Sequence, residues 1–119
     1  MNDNVMIGGF IVGATSQFLV RGLGPTLGAP PFDLPGVLAD PTLELHDGSG
    51  NIIATNDNWK LDDQSQQSQE VAITDTGKAP PNAAESAILQ TLSPGNYTAI
   101  LRGKNVTTGV ALIEVYNSP

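Results

Sequence analysis

The chain has 119 residues, no cysteine, and five basic against twelve acidic side chains, for a formal charge of −7 at pH 7. The missing thiols exclude a disulfide framework, a Cys-ligated zinc and a thiol nucleophile, and the acidic field repels phosphate backbones and anionic lipid, so nucleic acid is not an expected partner. Apolar residues make up 39% and charged residues only 14%, while 13 glycines and 9 prolines punctuate the chain, a balance suited to one domain of short strands joined by many turns.

Taken in chain order, VMIGGFIV from Val5 to Val12 is apolar on both faces and far shorter than the roughly 20 residues of a membrane helix, so it reads as a buried strand or one awaiting a partner. QFLVRG from Gln17 to Gly22 is a second strand, and the small turn Gly13-Ala14-Thr15-Ser16 predicts a hairpin between the two. Gly24 to Pro41 contains Pro25, Pro30, Pro31, Pro35 and Pro41, which excludes a regular element and predicts an ordered crossing from one sheet to another.

Thr42 to His46 alternates polar and apolar residues, Asp47-Gly48-Ser49-Gly50 supplies a turn, and Asn51 to Thr55 resumes an extended pattern, the clearest hairpin in the chain. Leu43 and Leu45 then face the core and Glu44 and His46 face water. Asn56 to Gln69 is a polar surface loop that drops Trp59 inward as an anchor, with a short strand or turn over Glu70 to Ile73. After a further proline-bearing loop, Glu85 to Leu92 reads as a strand whose natural partner is the next one, Tyr97 to Arg102, across the turn Ser93-Pro94-Gly95-Asn96, and Gly109 to Tyr116 closes the chain. Roughly eight strands with turns about every 8 to 12 residues predict an all-β, two-sheet sandwich of jelly-roll or Greek-key type.

The segments NVMIGGFIV, VRGLGPTL, LADPTLELHDGSGNIIATNDNW, APPNAAESAILQTLSPGNYTAILRGKN and TTGVALIEVY together resemble a β-sandwich module that recurs in large secreted and surface proteins of environmental bacteria. The resemblance spans nearly the whole chain. It implies export, with the signal outside this segment, and a modular, non-enzymatic role; it names no ligand. LELHDGSGNIIATND and LSPGNYTAILRG are similar in layout to the pre-peptidase C-terminal type domains of secreted bacterial peptidases, from which the crossing between Gly24 and Pro41 departs.

The residues themselves give little to an enzyme. His46 is the only histidine, no serine sits in a Gly-x-Ser-x-Gly elbow, and Pro25 prevents the helix that a dinucleotide fingerprint at Gly22-Leu23-Gly24 would have to open. Glycine there marks a bulge or a close backbone approach. No catalytic residue and no bound cofactor is expected. The densest oxygen cluster, Asp47, Asn56, Asp57, Asp62 and Asp63, offers the ligand type that calcium needs, and it equally suits turns bonding their own backbone. Trp59 and Tyr97 would be platforms for a glycan if exposed and core if not. Arg21 and Arg102, in otherwise apolar strands, require partners, for which Glu85 and Glu114 are the candidates.

Two functional readings follow. In the first, the chain is a building block of an extracellular fibre or surface array, a homo-oligomer or polymer packed head to tail or joined by strand exchange, with Val5, Met6, Ile7, Phe10, Ile11 and Val12 as the assembly strand, a liability on an open edge and an asset when donated to a neighbour. In the second, it is a calcium- or carbohydrate-binding accessory module of a secreted protein, binding at the loop end that carries Asp47 and Asn56 to Asp63.

Overall fold

The structure is a computed structural model and describes residues 5–118. Its strands are β1 (Val5–Val12), β2 (Ser16–Leu23), β3 (Pro41–His46), β4 (Ile52–Asn56), β5 (Ser86–Leu92), β6 (Gly95–Gly103) and β7 (Leu112–Asn117), with one short helix, α1 (Glu70–Asp75). They form a four-stranded sheet of order β1-β6-β3-β4 and a three-stranded sheet of order β5-β2-β7, antiparallel throughout. The all-β, two-sheet sandwich is therefore present, with seven strands in place of the expected eight.

The β3–β4 hairpin forms as its alternation dictates. Leu43 and Leu45 are buried, while Asp47 Oδ1 closes the turn by accepting the Ser49 and Asn51 N–H groups at 3.0 Å each. The proline-rich segment after β2 crosses from the three-stranded sheet to the four-stranded one. Its entry is tight: a Cβ on Gly24 would collide with the Leu38 carbonyl, and one on Gly22 would stand 2.5 Å from the Leu101 side chain, which explains glycine at both positions.

Two expected pairings are overturned. β1 and β2 do not form a hairpin, and β5 is not the partner of β6. Instead β1 pairs with β6 from Val5↔Arg102 to Val12↔Gly95, and β2 pairs with β5 from Ser16↔Leu92 to Gly22↔Ser86. The links Gly13–Thr15 and Ser93–Pro94 are thus two arches side by side at one end of the sandwich, each carrying the chain from sheet to sheet. The arch lets Phe10 meet Phe18 across the core at 6.3 Å between ring centroids, whereas a hairpin would leave an apolar face of each strand uncovered.

Between the sheets lies the larger core, including Val20, Leu43, Leu45, Ile88, Ala99 and Leu101. A second core lies outside the three-stranded sheet, where residues 57–85 fold across it and pack Trp59 and Ile73 on Leu19 and Ala87. Here the strand or turn expected over Glu70 to Ile73 is a helix. In a strand Val71 and Ile73 would share a face; α1 turns them apart, burying Ile73 and leaving Val71 in solvent.

Candidate interaction edge and the polar clusters around it

The two lateral sides of the sandwich differ. On the β4–β5 side, polar side chains occupy the backbone groups that strand edges leave free: Asn56 Oδ1 accepts the Ala87 N–H at 2.9 Å, Gln69 Nε2 donates to the Ala87 carbonyl at 3.2 Å, and Gln64 Nε2 donates to the Thr55 carbonyl at 3.3 Å. Such side-chain bonds make an edge a poor template for another strand.

On the opposite side β1 and β7 end their sheets, and β7 packs over β1, with Ile113 against Gly8 at 3.9 Å. Among the described residues no side chain caps the free edge of β1. Its pleat turns Phe10 and Val12 toward the core, Phe10 stacking on Tyr97 at 5.7 Å, and turns Ile7 and Ile11 outward, where they are 58% and 80% exposed. Met6, Leu112 and Val115 are also exposed there, and a cleft of about 170 Å³ opens between the start of β1 and the loop ahead of β7, lined by Val5, Met6, Leu38, Leu101 and Ala111. The six residues expected to form an assembly strand thus divide by pleat: Ile7 and Ile11 face solvent, Phe10 and Val12 face the core, and Val5 and Met6 line the cleft. The contribution of β7 was not readable locally, because nothing in Leu112 to Asn117 marks it as an edge.

The acidic set is not one site. Asp47 sits at the turn of the β3–β4 hairpin and Asn56 at its far end, roughly 16 Å away at about 3.3 Å per residue over the length of β4. Asn56 is buried between the sheets. Asp62 caps its own loop through the Gln64 N–H at 3.0 Å and the Ser65 hydroxyl at 3.0 Å. Asp57 Oδ2 takes the Lys104 ammonium at 2.7 Å. Among the described residues no three acidic or histidine side chains converge as metal ligands.

What sequence reading missed is Asp40, which joins Asp57 and Lys104 where the crossing, β4 and β6 end. Burial raises the Asp40 carboxyl above the ordinary range, the neighbouring Asp57 carboxylate adds to this, and Lys104 opposes it. Burial raises Asp63 as well, with the charge of Asp57 second.

On the outer face of the four-stranded sheet, His46 is less solvated than its alternation predicts. Its Nε2 lies 3.0 Å from Glu44 Oε1 and its Nδ1 3.2 Å from the Gly50 carbonyl, both acceptors, so only the doubly protonated ring donates to both. The Glu44 bond, followed by the Gly50 bond, raises the His46 pKa above its ordinary 6.5. For Glu44, burial pushes upward, but bonds from His46 and from Arg102, at 2.7 Å, outweigh it and hold the carboxyl below its ordinary range. A raised histidine pKa contributes stability that is complete below its unfolded value and lost as pH rises through the folded one. Glu44's contribution is intact above its own unfolded value. Unfolding free energy is therefore expected to be greater near pH 5.5 than near pH 8, by up to roughly 1 kcal/mol from this half-buried pair, and urea titrations of His46→Gln should show that increment gone. An unchanged pH profile in the variant would refute the assignment.

Of the four residues expected to form ion pairs, Arg21 meets Glu114 at 2.6 Å, on the outer face of the three-stranded sheet. There Tyr116 donates its hydroxyl to Glu114 at 2.9 Å and accepts from Arg21 at 3.3 Å. Arg102 pairs with Glu44, because β3 and not β5 lies beside β6. Glu85 meets no cation among the described residues. It is fully buried and accepts the Gly24 N–H at 2.8 Å, the Thr26 N–H at 2.9 Å, the Asn82 N–H at 3.1 Å and the Thr26 hydroxyl. Trp59 is 6% exposed, and Tyr97 covers one ring face with Phe10 and donates its hydroxyl to the Ser93 carbonyl at 2.7 Å, so both aromatics are occupied in packing.

No protein-family model, curated protein or solved structure matches the chain, so the reading of this surface rests on its own geometry. No helix among the described residues is long and apolar enough to cross a membrane.

Proposed function

We propose that the chain is a non-catalytic extracellular structural module that self-associates through the open edge of β1; with the other side sealed this edge builds a pair, and a fibre or surface array of such pairs is joined through a second contact. The observation that carries this is the exposure of Ile7 and Ile11 on an edge strand with no charge, no proline and, among the described residues, no capping side chain, the devices by which an edge is ordinarily kept from pairing. The sealed β4–β5 side makes the contrast within one molecule. The extracellular setting comes from the resemblance to a module of secreted and surface proteins. With β1 already paired to β6 in its own chain, association along the free edge requires no strand to leave.

The test is sedimentation across a concentration series at low and high salt. The native chain should form dimers or larger species, more so at high salt, where the repulsion between copies of charge −7 is screened. Ile7→Lys/Ile11→Lys should weaken association at least about tenfold, as two ammonium groups placed on the contact would. Because both side chains are solvent-facing, the variant should keep its circular dichroism and melting temperature. A native chain monomeric at every concentration, or a variant that assembles undiminished, overturns the proposal.

A further inference from the structure

We propose that the occupant of the β1 edge is β1 of a second copy, running antiparallel about a two-fold axis at Gly9, so that the two four-stranded sheets become one of eight. This rests on the self-association reading and names its partner and register.

The pleat limits the choices. Residues opposite one another in an antiparallel pair point to the same face, so core-facing positions must meet core-facing positions, which leaves axes through Gly8, Gly9 or Phe10 as the central registers. With Gly9 on the axis, Ile7 stands opposite Ile11 of the second copy on the outer face, a β-branched cross-strand pair formed twice by symmetry. On the inner face Phe10 stands opposite Gly8, where the missing side chain leaves room for the ring, and Met6 stands opposite Val12. Every large side chain from Met6 to Val12 then meets a partner that suits it, and Val5 alone lies beyond the paired stretch. With Gly8 on the axis, Ile7 faces Gly9 and the isoleucine pairs are lost. With Phe10 on the axis, two phenylalanines collide in the inner row while Ile11 faces Gly9.

Charge favours the same occupant. Residues 4–20 hold none of the chain's 17 charged side chains, so on a molecule of charge −7 this is the stretch along which two copies approach without bringing like charges together. Across the seam, Ile100 of β6, which lies beside Ile7 in the β1–β6 register, extends the isoleucine row through to Ile11 of the second copy. The exposed Val115 of each β7, on the same pleat as Ile113, faces the side of the sandwich on which the seam lies. An eight-residue edge is a small contact, so the pair is a concentration-dependent dimer.

The absence of native cysteine makes the test clean. Single variants Ile7→Cys, Ile11→Cys and Gly9→Cys are each treated with a short bis-maleimide, alone and in mixtures. A Cβ at Gly9 would meet only the Tyr97 carbonyl at 3.9 Å, so this variant folds without strain. Gly9→Cys should cross-link to itself, and an equimolar mixture of Ile7→Cys with Ile11→Cys should cross-link at least about fivefold more than either alone. Sedimentation of the native chain separates the two ways of failing. If the chain associates but Ile7→Cys or Ile11→Cys links best to itself, the two-fold register is wrong and association through the β1 edge stands; if the chain associates and no β1 cysteine links at all, the contact lies elsewhere and both fall. If the native chain does not associate, that reading fails and takes this inference with it.

Discussion

Alanine at Trp59 is expected to lower the unfolding free energy by about 3–5 kcal/mol, the ordinary cost of truncating a large buried side chain. The ring holds residues 57–85 onto the three-stranded sheet. It packs with Leu19, Ile73 and Ala87, and its backbone is tied at both groups, the N–H to the Glu85 carbonyl at 2.9 Å and the carbonyl to Gln69 Nε2 at 2.8 Å. Removing it leaves α1 without its packing partner and opens Leu19 to water. Urea unfolding should give the cost, and limited proteolysis should show new early cleavage between residues 57 and 85. Trp59 is also the chain's single tryptophan, so its native emission should be blue-shifted and should move red with the unfolding transition. A loss under about 1 kcal/mol with native protease resistance would show that the segment is held by something else.

Glutamine at Glu85 is expected to cost about 2–4 kcal/mol although it preserves shape and volume. The buried carboxylate accepts from four donors and none of its neighbours accepts from it. An amide that keeps its oxygen on the Gly24 and Thr26 N–H groups turns its NH₂ to the Thr26 hydroxyl, which can accept, and to the Asn82 N–H, which cannot and is left unpaired in a site closed to water. Alanine should cost more, since it leaves every donor orphaned and opens a cavity. These bonds fasten the start of the proline-rich crossing, at Gly24 and Thr26, to Asn82 ahead of β5, so the loss should appear as a lower urea midpoint with little change in slope. Indifference to Glu85→Gln would mean that the donors have other partners in solution.

The local signals that survived into the fold are those whose cause is local. Alternation over Thr42 to His46 and the Asp47 turn specify a hairpin because both strands and their link lie within 15 residues, from Thr42 to Asn56, and Asp47 closes the turn with its own carboxylate. Trp59 among polar residues was legible as an anchor, since an isolated large aromatic has few other uses in such a loop. The division of the acidic residues among unrelated roles was not legible. Asp57 finds Lys104 and Asp40 only because three element ends meet at one corner, and sequence proximity to Asp62 and Asp63 says nothing of that.

Alone, then, the sequence determined an all-β chain of short strands, a proline-rich crossing with room for no more than a short 3-10 turn at Pro25–Gly28 before β3 opens at Pro41, and a first strand with apolar side chains on both faces. These follow from backbone sterics and from the period of the apolar residues, which act over a few residues. Only the tertiary structure decided which strands pair, because a three-residue link serves an arch as readily as a hairpin, and the choice falls to the facing layer: Phe10 on Phe18, β1 on β6, β2 on β5. That choice also leaves β1 on an outer edge with Ile7 and Ile11 in water. Whether an apolar strand is core or interface depends on what covers its second face, and that cover is supplied by residues distant in the chain or by another molecule.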